Sequence, residues 1–268
     1  MSEENFEIGV LPFGRLAEMV KSVSHLARLN RECYRSVYFA AKDGALRLFA
    51  TDGISAAWIT HPVEAGDCES IAVNNAELET AVASFGKDAA KQNVFLSRVG
   101  KELVLESYGL AQRRASIADG LKYESLTAHK SAAASAHLHI KDAVKILTAL
   151  RKNHKTVALH FQRGDDAAAA WMDVKIKTVI TEASFKSHAT WSPALTLSCA
   201  SAGPALGNDC SSLRLYLQTD FLIAALKHSG KEAVVRLFLS HPTGYGGVSV
   251  TGDNECTHLI SPVKEKAV

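Results

Sequence analysis

Cysteine is sparse in this chain and forms no recognisable pattern. Five stand at Cys33, Cys68, Cys199, Cys210 and Cys256 of 268 residues. Their number is odd and no two make a C-x-x-C pair, so neither a zinc ribbon nor a disulfide framework is expected, and a reducing, cytoplasmic setting is. Long apolar runs are missing too. None approaches the length of about 20 residues that crosses a bilayer, and no membrane partner is expected. The opening MSEENFEIG is acidic and lacks the basic and apolar regions of a signal peptide. No excess of one charge exists either, with 30 Lys and Arg against 28 Asp and Glu. A nucleic-acid role therefore requires the basic residues to gather on one surface.

Catalytic and metal signatures are equally scarce. No H-E-x-x-H or Cys/His spacing occurs, and no Ser or Cys sits in a nucleophile elbow. The GYGG run at Gly244–Gly247 does not join a strand to a helix, as a phosphate loop would, and reads as a hairpin turn. His137 and His139 alternate along one strand, which suits a solvated edge better than a metal. Trp58, Trp171 and Trp191 lie on or beside strands as packing groups. No catalytic residue, metal or cofactor is expected.

What is present is rhythm. Residues 36–60, SVYFAAKDGALRLFATDGISAAWIT, read strand, turn, strand, turn, strand. Asp43-Gly44 and Asp52-Gly53 supply the turns, and Leu46, Leu48 and Ala50 face away from Arg47 and Phe49. An apolar helix at 13–28 precedes this meander, with Leu16, Met19, Val20, Val23 and Ala27 on one stripe. A strand at 69–73 follows. Asn74 then caps a second helix, with Glu77 as its capping-box partner and Leu78, Val82 and Phe85 as its apolar stripe. Strands at 93–98, 101–107 and 111–117 close the unit. The stretch 120–136 contains SAAAS and has no periodicity, so it reads as a linker.

The second half repeats the plan. A strand at 137–140 leads to a helix at 142–152 burying Val144, Leu147 and Leu150. A meander follows at 156–163, 167–174 and 177–182, with Gly164-Asp165 as one turn. A further strand at 194–199, a loop at 201–212 and a strand at 212–218 come next. Thr219 caps a helix at 220–228 burying Leu222, Ile223 and Leu226, and strands at 232–240, 246–251 and 256–262 finish the chain. The expected fold is α+β: two domains, 1–120 and 137–268, joined by a linker at 121–136. Each domain holds two strand–helix–three-strand units whose helices need the sheet to cover their apolar stripes.

Four segments carry a resemblance. LRLFATDGISAAW (46–58) resembles the strand and Thr-Asp-Gly turn of the bacterial beta sliding clamp. IADGLKYESL (117–126) resembles the link out of that clamp's middle domain. FLIAALKHSGKEAVVRLFLS (221–240) and HLISPVK (258–264) are similar to its last helix and C-terminal strand. They occur in order over most of 6–264. The resemblance implies the DNA-clamp, or processivity, fold. Bacterial beta clamps carry three such domains and dimerise, whereas this chain has two and resembles the middle and last. Two-domain clamps of eukaryotes, archaea and some phages close as trimers, so six domains per ring implies a homotrimer here.

The resemblance implies a role without bond-making chemistry, in which the ring encircles duplex DNA of any sequence and tethers a DNA polymerase for processive replication. A clamp loader and repair proteins are further partners, and the setting is the nucleoid, or host cytoplasm for a phage protein. On the helices, Lys21, Arg28, Lys141, Lys145, Arg151, Lys152, Lys155, Lys227 and Lys231 become the DNA-facing candidates. By charge alone these are ordinary solvated faces. The second helix is a poor fit, because Glu77 and Glu79 precede its nearest base, Lys87.

The family's partner-peptide groove carries over to Thr51, Gly53, Ile54 and Ser55 and to Ser261, Pro262, Val263 and Lys264. The family has a basic residue shortly after the turn glycine where this chain has Ile54 and Ser55, and residues 265–268 run past the usual end. Two rivals stand beside the clamp reading: a clamp-like monomeric binding module, and an unrelated α+β enzyme using a Cys–His pair.

Overall fold

A computed structural model describes residues 5–28, 34–64, 68–107, 113–118, 134–152, 155–163, 170–175, 182–184, 189–191, 212–238 and 247–262. The chain divides into two compact units, Met1–Ala128 and His129–Val268. Their boundary falls within the stretch read as a linker, although a strand already begins at Ala134.

The first unit runs β1 (Phe6–Pro12), α1 (Phe13–Ser24), β2 (Ser36–Lys42), β3 (Ala45–Thr51), β4 (Ser55–Pro62), β5 (Cys68–Asn74), α2 (Asn75–Ala83), a short 3-10 turn (Lys87–Lys91), β6 (Asn93–Val99), β7 (Glu102–Ser107) and β8 (Arg113–Ala118). The strands pair antiparallel in the order β4-β3-β2-β5-β8-β7-β6-β1. The β2–β3 loop is Asp43-Gly44, both at positive φ (52° and 72°), the primed turn whose twist suits a hairpin.

Helix α1 lies over β2, β3 and β4. Its stripe of Leu16, Met19, Val20, Val23 and, just beyond the helix, Ala27 is at most 3% exposed, as the 3.6-residue period dictates. Helix α2 packs on α1, β5 and β8, burying Leu78 and Ala81, with Phe85 buried beyond its end and Val82 only half-buried. One strand departs from simple alternation. Phe49 is fully buried although its neighbour Leu48 is as well. Its ring meets Tyr38 edge-on at 5.8 Å across the β2–β3 register, so an aromatic cross-strand pair covers the second face there.

The second unit runs β9 (Ala134–His139), α3 (Ile140–Arg151), β10 (Thr156–Arg163), β11 (Ala170–Lys175), β12 (Glu182–Ser184), β13 (Ala189–Trp191), β14 (Ser212–Gln218), α4 (Thr219–Lys227), β15 (Glu232–Phe238), β16 (Gly247–Gly252) and β17 (Thr257–Ile260). Its pairings repeat those of the first unit. β9–β15–β16–β17 answers β1–β6–β7–β8, and β11–β10–β14 answers β3–β2–β5. Strand β13 pairs with both β9 and β11. Helix α3 packs on α4 as α1 packs on α2. Ile140, Ala143 and Leu147 are buried under α3, with Val144 half-buried, and Leu222, Ile223 and Leu226 are buried under α4. The strand read at 194–199, most of the loop at 201–212 and the turn at Gly164-Asp165 lie outside the described residues.

Two capping expectations are corrected. Thr219 does not cap α4. It is the helix's first residue, fully buried, and Gln218 occupies the cap position without a side-chain bond. The Thr219 amide is satisfied by the Lys155 carbonyl at 2.9 Å, so tertiary structure supplies what a cap would have given. Asn74 does cap α2, accepting the Glu77 amide at 3.2 Å. Glu77, however, does not reach back to complete a capping box. Its carboxylate takes both the amide and the hydroxyl of Ser116 on β8, each at 2.7 Å.

Candidate nucleic-acid interface and peptide groove

The helix pair of each unit presents the basic candidates. On α1, Lys21 is exposed opposite the buried stripe, and Arg28 is exposed four residues past the helix end. On α3, Lys141, Lys145 and Arg151 are exposed, followed by Lys152 and Lys155. On α4, Lys227 closes the helix and Lys231 follows, both exposed. The arrangement is the helical one, with apolar residues against the sheet and cations in solvent. Lys227 and Arg151 also stand in last turns, where cations complement the helix dipole.

The two arginines differ from the lysines. Arg28 Nη2 lies 3.7 Å from Glu79 Oε1 of α2, and Arg151 Nε lies 2.5 Å from Asp220 Oδ1 of α4. Among the described residues each unit therefore has one ion pair of this kind, between the C-terminal end or exit of its first helix and the second helix. Among the described residues none of the candidate lysines forms an ion pair.

One basic residue escapes the sequence reading. The first amide of α2, that of Asn75, donates to the Arg35 carbonyl at 2.9 Å, just as Thr219 of α4 donates to Lys155 at 2.9 Å. Arg35 is thus the first-unit counterpart of Lys155, and it is exposed. The signal for it is positional: each stands immediately before the first strand of its meander.

Helix α2 carries Glu77 and Glu79 and no basic residue, unlike the other three helices. Glu77 is drawn to Ser116, whose side-chain and backbone hydrogen bonds favour the charged form and hold its pKa below the ordinary value against a small opposing effect of burial. An open cleft of about 470 Å³ lies between α2 and β8, lined by Ala76, Glu77, Thr80, Ala81, Ser84, Arg113 and Arg114. Arg113 donates to Ser84 at 2.6 Å and lies over the Phe85 ring, and Arg114 pairs with Glu102 at 2.6 Å.

The groove candidates of the first unit form a locked turn between β3 and β4. Asp52 and Ser55 pair backbone to backbone at 3.2 Å, so the loop residues are Gly53-Ile54 rather than the Asp52-Gly53 of the sequence reading. Asp52 Oδ1 accepts the amides of Ile54 (2.9 Å) and Ser55 (2.6 Å). Thr51 Oγ1 donates to the Ser55 carbonyl at 2.7 Å and accepts the Gly53 amide at 3.0 Å. Gly53 takes φ +88°, and a Cβ there would stand 2.9 Å from the Tyr34 hydroxyl. The positive φ demands glycine, and a Cβ would also have to displace the tip of the Tyr34 side chain.

The fixed turn leaves Ile54 45% exposed, an unusual position for a large apolar residue in this protein. Ser55 Oγ is buried and makes no hydrogen bond among the described residues. In the second unit Ser261 is exposed and Pro262 half-buried just past β17, while Val263 and Lys264 lie outside the described residues.

The enzyme rival's Cys–His pair has one physical counterpart among the described residues. Cys256 Sγ lies 3.4 Å from His258 Nε2. Both side chains are at most 1% exposed, in a strand and its approach, so substrate has no path to the thiol. No group of His, Cys, Asp or Glu among the described residues is arranged to hold a metal ion. His139 instead faces Glu232 at 3.9 Å. No helix among the described residues is long and apolar enough to cross a membrane.

The fold is that of the DNA sliding clamps: an α+β chain of antiparallel strands with paired helices in each unit. Among solved structures it is similar to the DNA polymerase III beta chain of Streptococcus pneumoniae (TM-score 0.73, 14% identity, 99% of this chain and 66% of that one). It is also similar to the beta subunit of Thermotoga maritima (TM-score 0.70, 13% identity, 99% and 67%) and to the sliding clamp of Pseudomonas aeruginosa bound to griselimycin (TM-score 0.73, 12% identity, 98% and 66%). The chain thus spans about two thirds of the length of the clamps it matches. No protein-family model matches the sequence, and no curated protein does.

Proposed function

We propose that this protein is a two-domain sliding clamp. Copies of it close into a ring around duplex DNA and tether a DNA polymerase, delivered by a clamp loader. The observation that carries the reading is the recurrence, in both units of a clamp fold, of a packed helix pair with a buried apolar stripe and exposed lysines on or beside it, Lys21 in the first unit and Lys141, Lys145, Lys152, Lys155, Lys227 and Lys231 in the second, none of which forms an ion pair among the described residues. Such lysines suit phosphates of any sequence, since backbone contacts hold a duplex without reading it.

The non-catalytic role follows from the same fold, and no residue is assigned to chemistry. Two domains per chain favour a homotrimer of six domains, the count that the three-domain dimers reach. The candidates for holding a short peptide motif are Thr51, Gly53, Ile54 and Ser55 in the first unit, with Ile54 as the exposed apolar contact, and Ser261, Pro262, Val263 and Lys264 in the second. The setting is cytoplasmic, at the nucleoid or, for a phage protein, in the host.

Sedimentation equilibrium tests the ring directly. A mass of three chains at micromolar concentration is expected. A monomer over the same range favours the clamp-like binding module and overturns the ring.

A further inference from the structure

The basic candidates on and beside the two helix pairs fall into two chemical classes. The lysines Lys21, Lys141, Lys145, Lys152, Lys155, Lys227 and Lys231 are exposed and form no ion pair among the described residues. Arg28, just past α1, and Arg151, at the end of α3, are each paired with a carboxylate of the second helix of their unit, Glu79 at 3.7 Å and Asp220 at 2.5 Å. The distinction matters for a protein that must hold a duplex without stopping on it. A lysine offers a mobile point charge that passes from one phosphate to the next. A guanidinium offers a rigid fork that binds a phosphate with two parallel hydrogen bonds, the geometry of a grip.

We propose that Glu79 and Asp220 are tuning residues that hold Arg28 and Arg151 back from the phosphate backbone, so that lysines carry the sliding contact and each arginine engages only by exchanging its carboxylate for a phosphate. The proposal rests on the sliding-clamp reading above. All four side chains are well exposed, between 41% and 67%, which makes the pairs weak and exchangeable rather than structural. Both acids are positioning residues, acting on DNA through the arginines.

Binding of the full chain to a short fluorescent duplex, followed by anisotropy between about 50 and 200 mM salt, tests this. Glu79→Gln and Asp220→Asn should each tighten binding about two- to fivefold at the low-salt end. Each should also steepen the salt dependence by up to about 0.9 in log–log slope, the value of one added phosphate contact. In Arg28→Gln and Arg151→Gln backgrounds the corresponding gain should vanish, a coupling that mere removal of a negative charge does not produce. Melting temperatures verify that the exposed, near-isosteric replacements remain folded.

A gain that persists without the arginine overturns the proposal, as does no gain while the wild-type chain binds; either leaves the clamp reading standing. A wild-type chain with no salt-dependent duplex binding overturns both.

Discussion

The carboxylate of Glu77 shows how a single residue escapes a local rule. The spacing Asn74-x-x-Glu77 fits a capping box, and Asn74 performs its half. Glu77 turns instead to Ser116, 39 residues away, and satisfies two donors on β8. A helix and a strand are tied together where the sequence offered only a helix end. Because the bonds favour the charged form, the folded-state pKa lies below the unfolded one. The resulting stabilisation is present above the unfolded pKa and is lost as pH falls through the folded one. Glu77→Gln should therefore lower the melting temperature at neutral pH and flatten its fall in acid, by a fraction of a kcal/mol because the site is exposed. Parallel melting curves for the two proteins, from neutral pH down through the carboxylate range, exclude the assignment.

At the scale of elements, the β3–β4 hairpin combines a rigid frame with an open apolar tip. Thr51 and Asp52 secure the frame through four hydrogen bonds, leaving Ile54 exposed. Ile54→Asp should leave the fold intact, since exposed substitutions ordinarily stay within about 0.5 kcal/mol. It should weaken binding of a polymerase-derived peptide by about tenfold or more, the equivalent of losing an apolar anchor worth roughly 1.5–3 kcal/mol. Calorimetric titration with that peptide checks this, and an unchanged affinity places the groove elsewhere.

Most elements were legible because their signals are local. The α1 stripe from Leu16 to Ala27 and the turn at Asp43-Gly44 need no distant partner to be recognised. Thr219 was misread because the group that satisfies its helix end, the Lys155 carbonyl, is 64 residues away in sequence. Alternation places Phe49 on the face opposite Leu48 but does not reveal that Tyr38 covers that second face. Of the candidate site, Lys21, Lys141, Lys145 and Lys227 could be assigned to helix surfaces from periodicity alone. Arg35, like its counterpart Lys155, precedes a strand, but it stands eleven residues past the end of α1 whereas Lys155 stands four past the end of α3, so proximity to a helix pointed to Lys155 alone.

For the whole molecule, retention on DNA is the property that a ring confers. Reversing Lys145 and Lys227 together, by Lys145→Glu and Lys227→Glu, removes exposed cations from a helix pair whose core is untouched. The double variant should keep its oligomeric mass and melting temperature. It should dissociate from closed circular duplex more than tenfold faster than wild type at about 50 mM salt, as loss of several phosphate contacts requires. Equal residence times remove these lysines from the DNA face.

The sequence by itself determined the elements and their fourfold rhythm, because apolar periodicity and turn glycines act within a few residues of chain. It also determined which cations lie on helix surfaces. Only the tertiary structure decided the partners of Arg28, Arg151 and Glu77, because several oppositely charged or polar groups are available in sequence and three-dimensional proximity selects among them. The same holds for the exposed Ile54 and the buried hydroxyl of Ser55, which has no hydrogen-bond partner among the described residues: adjacent residues of one turn, which the folded backbone directs into opposite environments.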